Sequence, residues 1–425
     1  MDHHHETLKS VSTDILVVGA GIAGITAALE AAETGFKVIL VEKNPQIGGR
    51  VAQLNEYFPK LCPPTCGLEV NIKRIRENQN IKLMTLTDIE DVQGTKGEYT
   101  AKIKVTPRYI KDTATDTECQ ECAENCNVYR QDEFNYGIGK TKAIYLPYNN
   151  CYPMKYVFDK EACNENELRI LAENCPVIDL DQEVEHMNIE AKAIIWAGGW
   201  KPYDANKLET LGYKDYPNVI TNVELERLAA PNGPTGGKIV IPGMEDREIN
   251  TVAFVQCAGS RDENHLEFCS SICCLASMKH SRYLRAQYPE ADIHVFYIDV
   301  RSPGIYEDFY TETKEDEKVF WHRGKVAKVF EEFETKKLIV EAEDTLGNKL
   351  QQARVDMVVL ATGMQPNTCS FPNKAILDES GFIKTDNADS IIACGTVASP
   401  KDVAQSVQDA TGAALKAIQI IKGGN

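Results

Sequence analysis

Residues Thr13 to Arg50 read TDILVVGAGIAGITAALEAAETGFKVILVEKNPQIGGR. The apolar run Ile15 to Val18 predicts a buried strand, GAGIAG a tight turn, the alanine-rich stretch a helix, and Lys37 to Glu42 a second strand, a βαβ unit in about 30 residues. In the turn, Gly19 permits the sharp bend and Gly21 lets the backbone approach a pyrophosphate. Gly24 lets the helix lie close to the strand, with its N-terminus facing the phosphates. Ala20, Ile22 and Ala23 complete the loop. Glu42 follows Gly24 by 18 residues, with Lys43 beside it, and a carboxylate there suits ribose hydroxyls. Strand, turn, helix, strand and acid stand in register, which favours a dinucleotide site over a glycine turn that serves packing alone. The fingerprint does not separate FAD from NAD.

Working outward, 425 residues exceed one ordinary domain and predict at least two cores. The 46 basic and 63 acidic residues give a net charge of −17, which repels phosphate backbones and argues against nucleic acid as a partner. No window approaches the roughly 18 to 20 apolar residues of a membrane span. The start, MDHHHETLKS, lacks a secretory apolar segment, so a cytoplasmic protein is expected. Fourteen cysteines in a reducing compartment point to metal or redox duty rather than to disulfides.

The pattern predicts an α/β chain in five segments. Residues 1–106 begin a Rossmann-like domain. Residues 107–181, with TECQECAENC and EACNENELRILAENCP, are an insertion. Residues 182–235 resume the first domain through the strand AKAIIWAGGW and a helix from Asn222, for which Thr221 and Glu224 have capping-box spacing. The Pro/Gly-rich stretch Pro231 to Gly243 reads as a boundary. Residues 236–365 form a second nucleotide-type module, and residues 366–425 return to the first domain as strand, turn and amphipathic helix.

The second module's turn reads VQCAGSRDENHLEFCSSICC and has no GxGxxG. Cys257, Cys269, Cys273 and Cys274 give C-x11-C-x3-C-C, with Cys269 and Cys273 one helical turn apart. Four thiolates at one strand–helix junction can hold a [4Fe–4S] cluster. Zinc, or buried unligated thiols, are the alternatives.

The segment Gly48-Gly49-Arg50 resembles that of two-dinucleotide-binding-domain flavoproteins, which implies FAD. Ala197-Gly198-Gly199 and Ala361-Thr362-Gly363 sit where that group has strand ends beside its flavin. Cys394-Gly395-Thr396 stands where it has a glycine–aspartate pair, with a carboxylate lost at Thr396. The runs VAFVQCAGSRDENHLEFCSSICC, DIHVFYIDVR and ACGTVASPKDVAQSV resemble the heterodisulfide reductase A-subunit family over nearly the whole chain. That resemblance implies FAD in the first domain, the cluster on the four cysteines, and electron transfer without an acid–base catalytic residue. Within the family the expected branch is the A-subunit of the quinone-interacting membrane-bound oxidoreductase (Qmo) complex of sulfate reducers. The methanogen proteins carry a further C-terminal ferredoxin module, and this chain stops at Asn425. The branch implies a relay between menaquinol and adenylylsulfate (APS) reductase. Its partners would be two further subunits, one with flavin and iron–sulfur and one haem-containing and in the membrane. It also implies a cytoplasmic location, held at the membrane by those partners. The alternatives are the A-subunit of a soluble sulfur-metabolism complex, or a stand-alone NAD(P)H-dependent disulfide or sulfur reductase.

The insertion resembles a degenerate two-cluster ferredoxin. Cys119, Cys122 and Cys126 take the second to fourth places of one run, with Asp116 at the first and Asn127 replacing the proline. Cys163 and Cys175 take the first and fourth places of the other, with Leu168 and Leu171 between. One cluster on Asp116, Cys119, Cys122 and Cys175, or a metal-free remnant, are both open. Cys62 and Cys66 lie in a Pro-rich loop as a redox pair or as incidental thiols. Lys73, Arg74 and Arg76 form a basic patch on a solvated helix face or a docking contact, and no histidine is assigned a catalytic role.

Overall fold

The computed structural model describes residues 8–344, 347, 349–369, 371–372, 377–384 and 391–423. Two sheets organise it. The first has the order Ile81–Met84, Val38–Val41, Lys9–Val18, Glu185–Trp196, Glu98–Val105, Thr87–Thr95, and Ile391–Ala393 also pairs with Glu185–Trp196. Its central strands run parallel, with Val18 beside Val41 and Trp196, and the 87–105 hairpin closes the edge antiparallel. The parallel strands are continuous apolar runs because both faces are buried, one of them by helices. On that face Ile22–Glu33 and Val403–Ile421 pack through Ala27, Ala28, Ala31, Ala410, Ala414 and Ala417. Small side chains on both helices permit this close approach.

The second sheet is wholly parallel, in the order Val219–Thr221, Met357–Thr362, Thr251–Ala258, Asp292–Tyr297, Val319–Arg323. A three-stranded antiparallel sheet, 326–355, packs beside it through Val329, Leu338 and Val340. Two short crossing strands, Trp200–Pro202 and Met364–Pro366, pair where the chain passes between the two sheets.

This places the crossover near Pro202 and corrects the expected 235/236 boundary. Val219–Thr221 pairs with Met357–Thr362, and Leu225, Leu228, Ile239 and Ile241 lie in one apolar core with Phe254 and Leu284. The Pro231 to Gly243 stretch is therefore inside the second unit. Its prolines and glycines shape a surface turn whose apolar residues are still buried. The Thr221–Glu224 capping box forms as the spacing predicts, at the start of Asn222–Ala229.

The insertion folds as a small lobe around Tyr109, Val128, Ile144, Phe158 and Val177, with Cys119, Cys122, Cys126 and Cys175 buried among them. Its helices are Asp116–Asn125 and Glu165–Asn174. A disulfide joins Cys122 to Cys175, 53 residues apart in sequence. That corrects the expectation of a chain without disulfides. Compartment arguments set a prior on cysteine pairing, but the fold brings these two Cα atoms to 5.6 Å, within bonding reach. Closing a loop of that length restricts the unfolded chain by about 4 kcal/mol in the chain-entropy account.

Asp356 pins the second sheet. Its buried carboxylate accepts the backbone N–H of Asn250 and Thr251 at 3.0 Å each and the Thr251 hydroxyl at 2.8 Å. Replacing it (Asp356→Ala) orphans two backbone donors and should cost about 3 kcal/mol, measured by guanidinium unfolding of the full chain.

Candidate functional site

A cavity of about 890 Å³ opens along the C-terminal ends of the first sheet's strands, large among small-molecule and cofactor sites, which run to roughly 1,000 Å³. Gly19, Gly21, Ile22, Ala23, Glu42, Lys43, Gly49, Arg50, Ala197, Gly198 and Thr396 line it. The expected cofactor residues therefore come together from four separate stretches of chain.

The remaining expected residues act from behind. A Cβ on Gly24 would overlap the carbonyl oxygen of Gly19, and one on Gly19 would stand 2.5 Å from the oxygen of Ala197. The turn, the helix and the neighbouring strand end can therefore meet only as glycines allow. Gly49 comes equally close to Gly21, since its Cβ would lie 2.8 Å from the Gly21 Cα. Ala20 donates its N–H to Glu42 at 2.7 Å, Gly48 donates to the Ala20 carbonyl, and Gly395 donates to Asp409 at 2.7 Å. Gly363 does not join them. It lies in the second unit, where a Cβ would strike Ser260 and Leu266, and it is Met364 beside it that reaches the cavity.

Glu42 accepts hydrogen bonds from Ala20 N–H, Asn44 N–H and the Asn44 amide at 2.7–2.9 Å. Burial still pushes its carboxyl above the usual range. Arg50 lies over the rings of Tyr136 and Trp200, 5.0 and 5.4 Å to the centroids, and donates to the Trp200 carbonyl. Thr396 supplies no carboxylate, but Lys401 and Asp402 line the cavity on the same side, and Lys401 pairs with Asp409 at 3.3 Å. These residues fit an extended dinucleotide. The glycine cradle admits a pyrophosphate where any Cβ would intrude, and basic side chains flank it.

The opposite wall comes from the second unit, and sequence reading missed it. Glu226 is 4% exposed and takes four hydrogen bonds: from Asn55 N–H at 2.7 Å, Glu56 N–H at 3.4 Å, Lys279 Nζ at 2.7 Å and His280 Nε2 at 2.5 Å. Lys279 also donates to the Glu56 carbonyl. Glu226, Lys279 and His280 all line the cavity, and the other ring nitrogen of His280, Nδ1, is buried without a partner. The sequence assigns His280 no role. Three charged residue types spaced at 226, 279 and 280 give no local pattern to find. Next to them, Arg227 is fully buried and donates to Asn135, Gln53 and Asn232, each at 2.8 Å. It ties the insertion, the first unit and the second together.

The four cysteines gather at the end of Thr251–Ala258 and the start of helix Cys273–Gln287. Cys257 has φ +57°, a left-handed kink. Cys273 faces the Thr362 carbonyl at 3.8 Å and Cys274 the Asp299 carbonyl at 3.9 Å, while Cys269 accepts from Ser271 N–H. Burial, then the neighbouring thiols, hold Cys273 well above the usual thiol range, and push Cys274 up to about 11. Mutual repulsion of this kind means the four share one neighbourhood. The donor chemistry fits an iron–sulfur cluster, which would take all four as thiolates. Among the described residues no three such side chains converge as a finished ligand set, so the fit rests on donor type and location.

That location adjoins the cavity. Ile272, which caps that helix, and its Ala276, Lys279 and His280 line the cavity. Phe58 and Leu61 pack with Cys274, Leu275 and Met278, and Phe58 lines the cavity as well. Cys62 follows in that loop, whereas Cys66, expected in the same loop, lies in the first turn of the helix Thr65–Glu77; both are free and exposed. No helix among the described residues is long and apolar enough to cross a membrane.

Residues 14–123 match the FAD dependent oxidoreductase family model. The chain is 38% identical over 438 residues to the second iron–sulfur A-subunit of CoB–CoM heterodisulfide reductase from Methanopyrus kandleri, covering 99% of this chain and 66% of that one. It is 34% identical over 433 residues to the A-subunit of the ferredoxin/F(420)H(2)-dependent CoB–CoM heterodisulfide reductase from Methanosarcina acetivorans, covering 98% and 54%. The chain thus spans about half to two thirds of the length of these relatives. In fold it is similar to thioredoxin reductase of T. acidophilum, with TM-score 0.53 at 15% identity and coverage of 96% and 97%. Bacillithiol disulfide reductase of Bacillus cereus also has TM-score 0.53, at 13% identity and coverage of 97% and 100%. The fold is that of a two-dinucleotide-binding-domain flavoprotein.

Glu226 sets a stability test. Burial opposes its charge, yet Lys279 and His280 outweigh burial and hold the carboxyl far below the usual range. A lowered folded value stabilises above the unfolded pKa of about 4.3 and loses that contribution as pH falls below it. Glu226→Gln, which leaves Lys279 unpaired, should cost about 3–5 kcal/mol at pH 7 by denaturant unfolding, with the gap to wild type narrowing below pH about 4.

Proposed function

We propose, for a chain that belongs to the heterodisulfide reductase A-subunit family, that it is an FAD- and [4Fe–4S]-dependent electron-transfer component of a larger complex. The observation that carries this reading is one helix serving two sites. Cys273–Gln287 begins with two of the four clustered cysteines, and its Ala276, Lys279 and His280 wall the dinucleotide cavity. Gly19, Gly21, Gly49, Glu42 and Arg50 would hold FAD, and Cys257, Cys269, Cys273 and Cys274 would hold the cluster. Bound FAD supplies a couple that accepts two electrons together and releases them singly, and a cluster passes one at a time. The chain's own part is placement. The glycine turn admits the pyrophosphate, Glu226 holds the Lys279 side chain at 2.7 Å at the wall facing it, and Phe58 and Leu61 shield the cysteine junction.

The narrower reading makes the chain the Qmo-type component that relays electrons between menaquinol and adenylylsulfate reductase, beside a flavin/iron–sulfur partner and a haem-containing membrane partner. It rests on the sequence resemblance. A place at the cytoplasmic face of the membrane would then come through those partners. A stand-alone NAD(P)H-dependent reductase is disfavoured, because the turn after Thr251–Ala258 carries cysteines where a second glycine fingerprint would be.

Anaerobic iron, sulfide and flavin analysis with electron paramagnetic resonance tests the proposal on wild type, Cys273→Ser and Gly24→Val. About four irons per flavin are expected, with the resonance lost in Cys273→Ser while flavin stays, and flavin lost in Gly24→Val. Iron unchanged by Cys273→Ser would overturn the cluster assignment. Rapid flavin bleaching by NADH would revive the stand-alone reductase.

A further inference from the structure

The relay leaves the insertion unused. Its two ten-residue helices are built alike. Each opens on a capping box, Thr115 with Glu118 and Asn164 with Glu167, and each is closed by a cysteine, Cys126 and Cys175. In a two-cluster ferredoxin, the closing cysteine of one run ligates the cluster of the other. Here Cys175 crosses to the first helix and is bonded to Cys122. Cys126 and Cys163 are both free and flank one backbone ladder, in which Ala143 N–H donates to the Val128 carbonyl at 2.9 Å and Asp159 N–H to the Ala143 carbonyl at 2.8 Å. The Cys126 thiol donates to the Val128 carbonyl at 3.5 Å and the Cys163 thiol to the Asp159 carbonyl at 4.0 Å, at the two sides of that ladder.

Bonded sulfurs are not thiolate ligands. The first cluster place therefore retains Cys119 and Asp116 as donors, and the second retains one couple, both short of the four donors a cubane takes. We infer that the insertion is a metal-free thiol–disulfide site, with Cys122–Cys175 its oxidised couple and Cys126 with Cys163 its reduced couple, reacting with dithiols and disulfides.

The chemistry balances in both directions. A dithiol breaks the Cys122–Cys175 bond, forming two S–H groups and leaving as a disulfide, with two electrons and two protons transferred. A disulfide RSSR closes the open couple, as two S–H bonds break, one S–S bond forms and two RSH leave. Cys163 is the part-exposed member of the four and Cys126 is buried, so an outside disulfide meets Cys163 first and Cys126 resolves the mixed disulfide. Burial and neighbouring Cys126 push the Cys163 thiol up to about 11, so its thiolate fraction rises about tenfold per pH unit below that value. The lobe also walls the dinucleotide cavity through Arg130, Phe134, Tyr136 and Tyr145.

The test is differential alkylation with peptide mass spectrometry on the full chain, purified without oxygen or reductant, with iron and acid-labile sulfide assayed alongside. Wild type should yield a Cys122–Cys175 cross-linked peptide. Cys122→Ser should keep the wild-type iron content. Oxidised glutathione should modify Cys163 about tenfold faster at pH 9 than at pH 8, and Cys163→Ser should abolish that adduct. A cross-link that forms only after air exposure, or iron and sulfide that fall in Cys122→Ser, would overturn the inference. Should Cys122→Ser fail to fold, the wild-type cross-link decides alone. Loss of the relay's iron would instead show in Cys273→Ser, so the two readings fail separately.

Discussion

A buried carboxylate, Glu226, holds the molecule's working surface in place. It lies where the second unit's helices meet the loop after Gly48-Gly49-Arg50, and it satisfies a lysine, a histidine and a backbone amide together. A buried lysine without such a partner would lose its charge or unfold its surroundings. With it, the Lys279 side chain is held at the wall of the cavity by a 2.7 Å contact. Arg227, one residue on, repeats the device toward the insertion. Adjacent residues of one short helix therefore bind three parts of the chain.

This junction explains why the cavity is bounded as it is. One wall is the glycine turn, rigid because Cβ atoms are excluded there. The facing wall is the helix that starts at Cys273. The third is the insertion lobe, which reaches the cavity through Arg130 to Tyr145. A second link, Tyr306 to Asp402 at 2.8 Å, joins the units at the other end of the cavity. Domain contacts of this kind put the cysteine junction beside the dinucleotide site although the two motifs are more than 200 residues apart in sequence.

The insertion's two halves are built alike. Both helices are ten residues long and open on a capping box, a disulfide joins the halves, and Leu168 and Leu171 pack against the lobe's core. Apolar contacts and one covalent bond hold the lobe together.

Sequence by itself determined the first βαβ unit, its glycine turn and Glu42, because the residues that define them lie within one local, periodic stretch. It also determined the capping box at Thr221, since spacing across a helix start is itself geometry. Tertiary structure alone decided the crossover near Pro202, because a strand's sheet is chosen by its partner, and Val219–Thr221 carries no mark of pairing with Met357–Thr362. It alone decided the exile of Gly363 from the cavity, the Cys122–Cys175 bond, and the meeting of Glu226, Lys279 and His280. Each of these depends on distances between residues far apart in the chain, and burial, which gives a charge its energetic weight, exists only once the chain has folded.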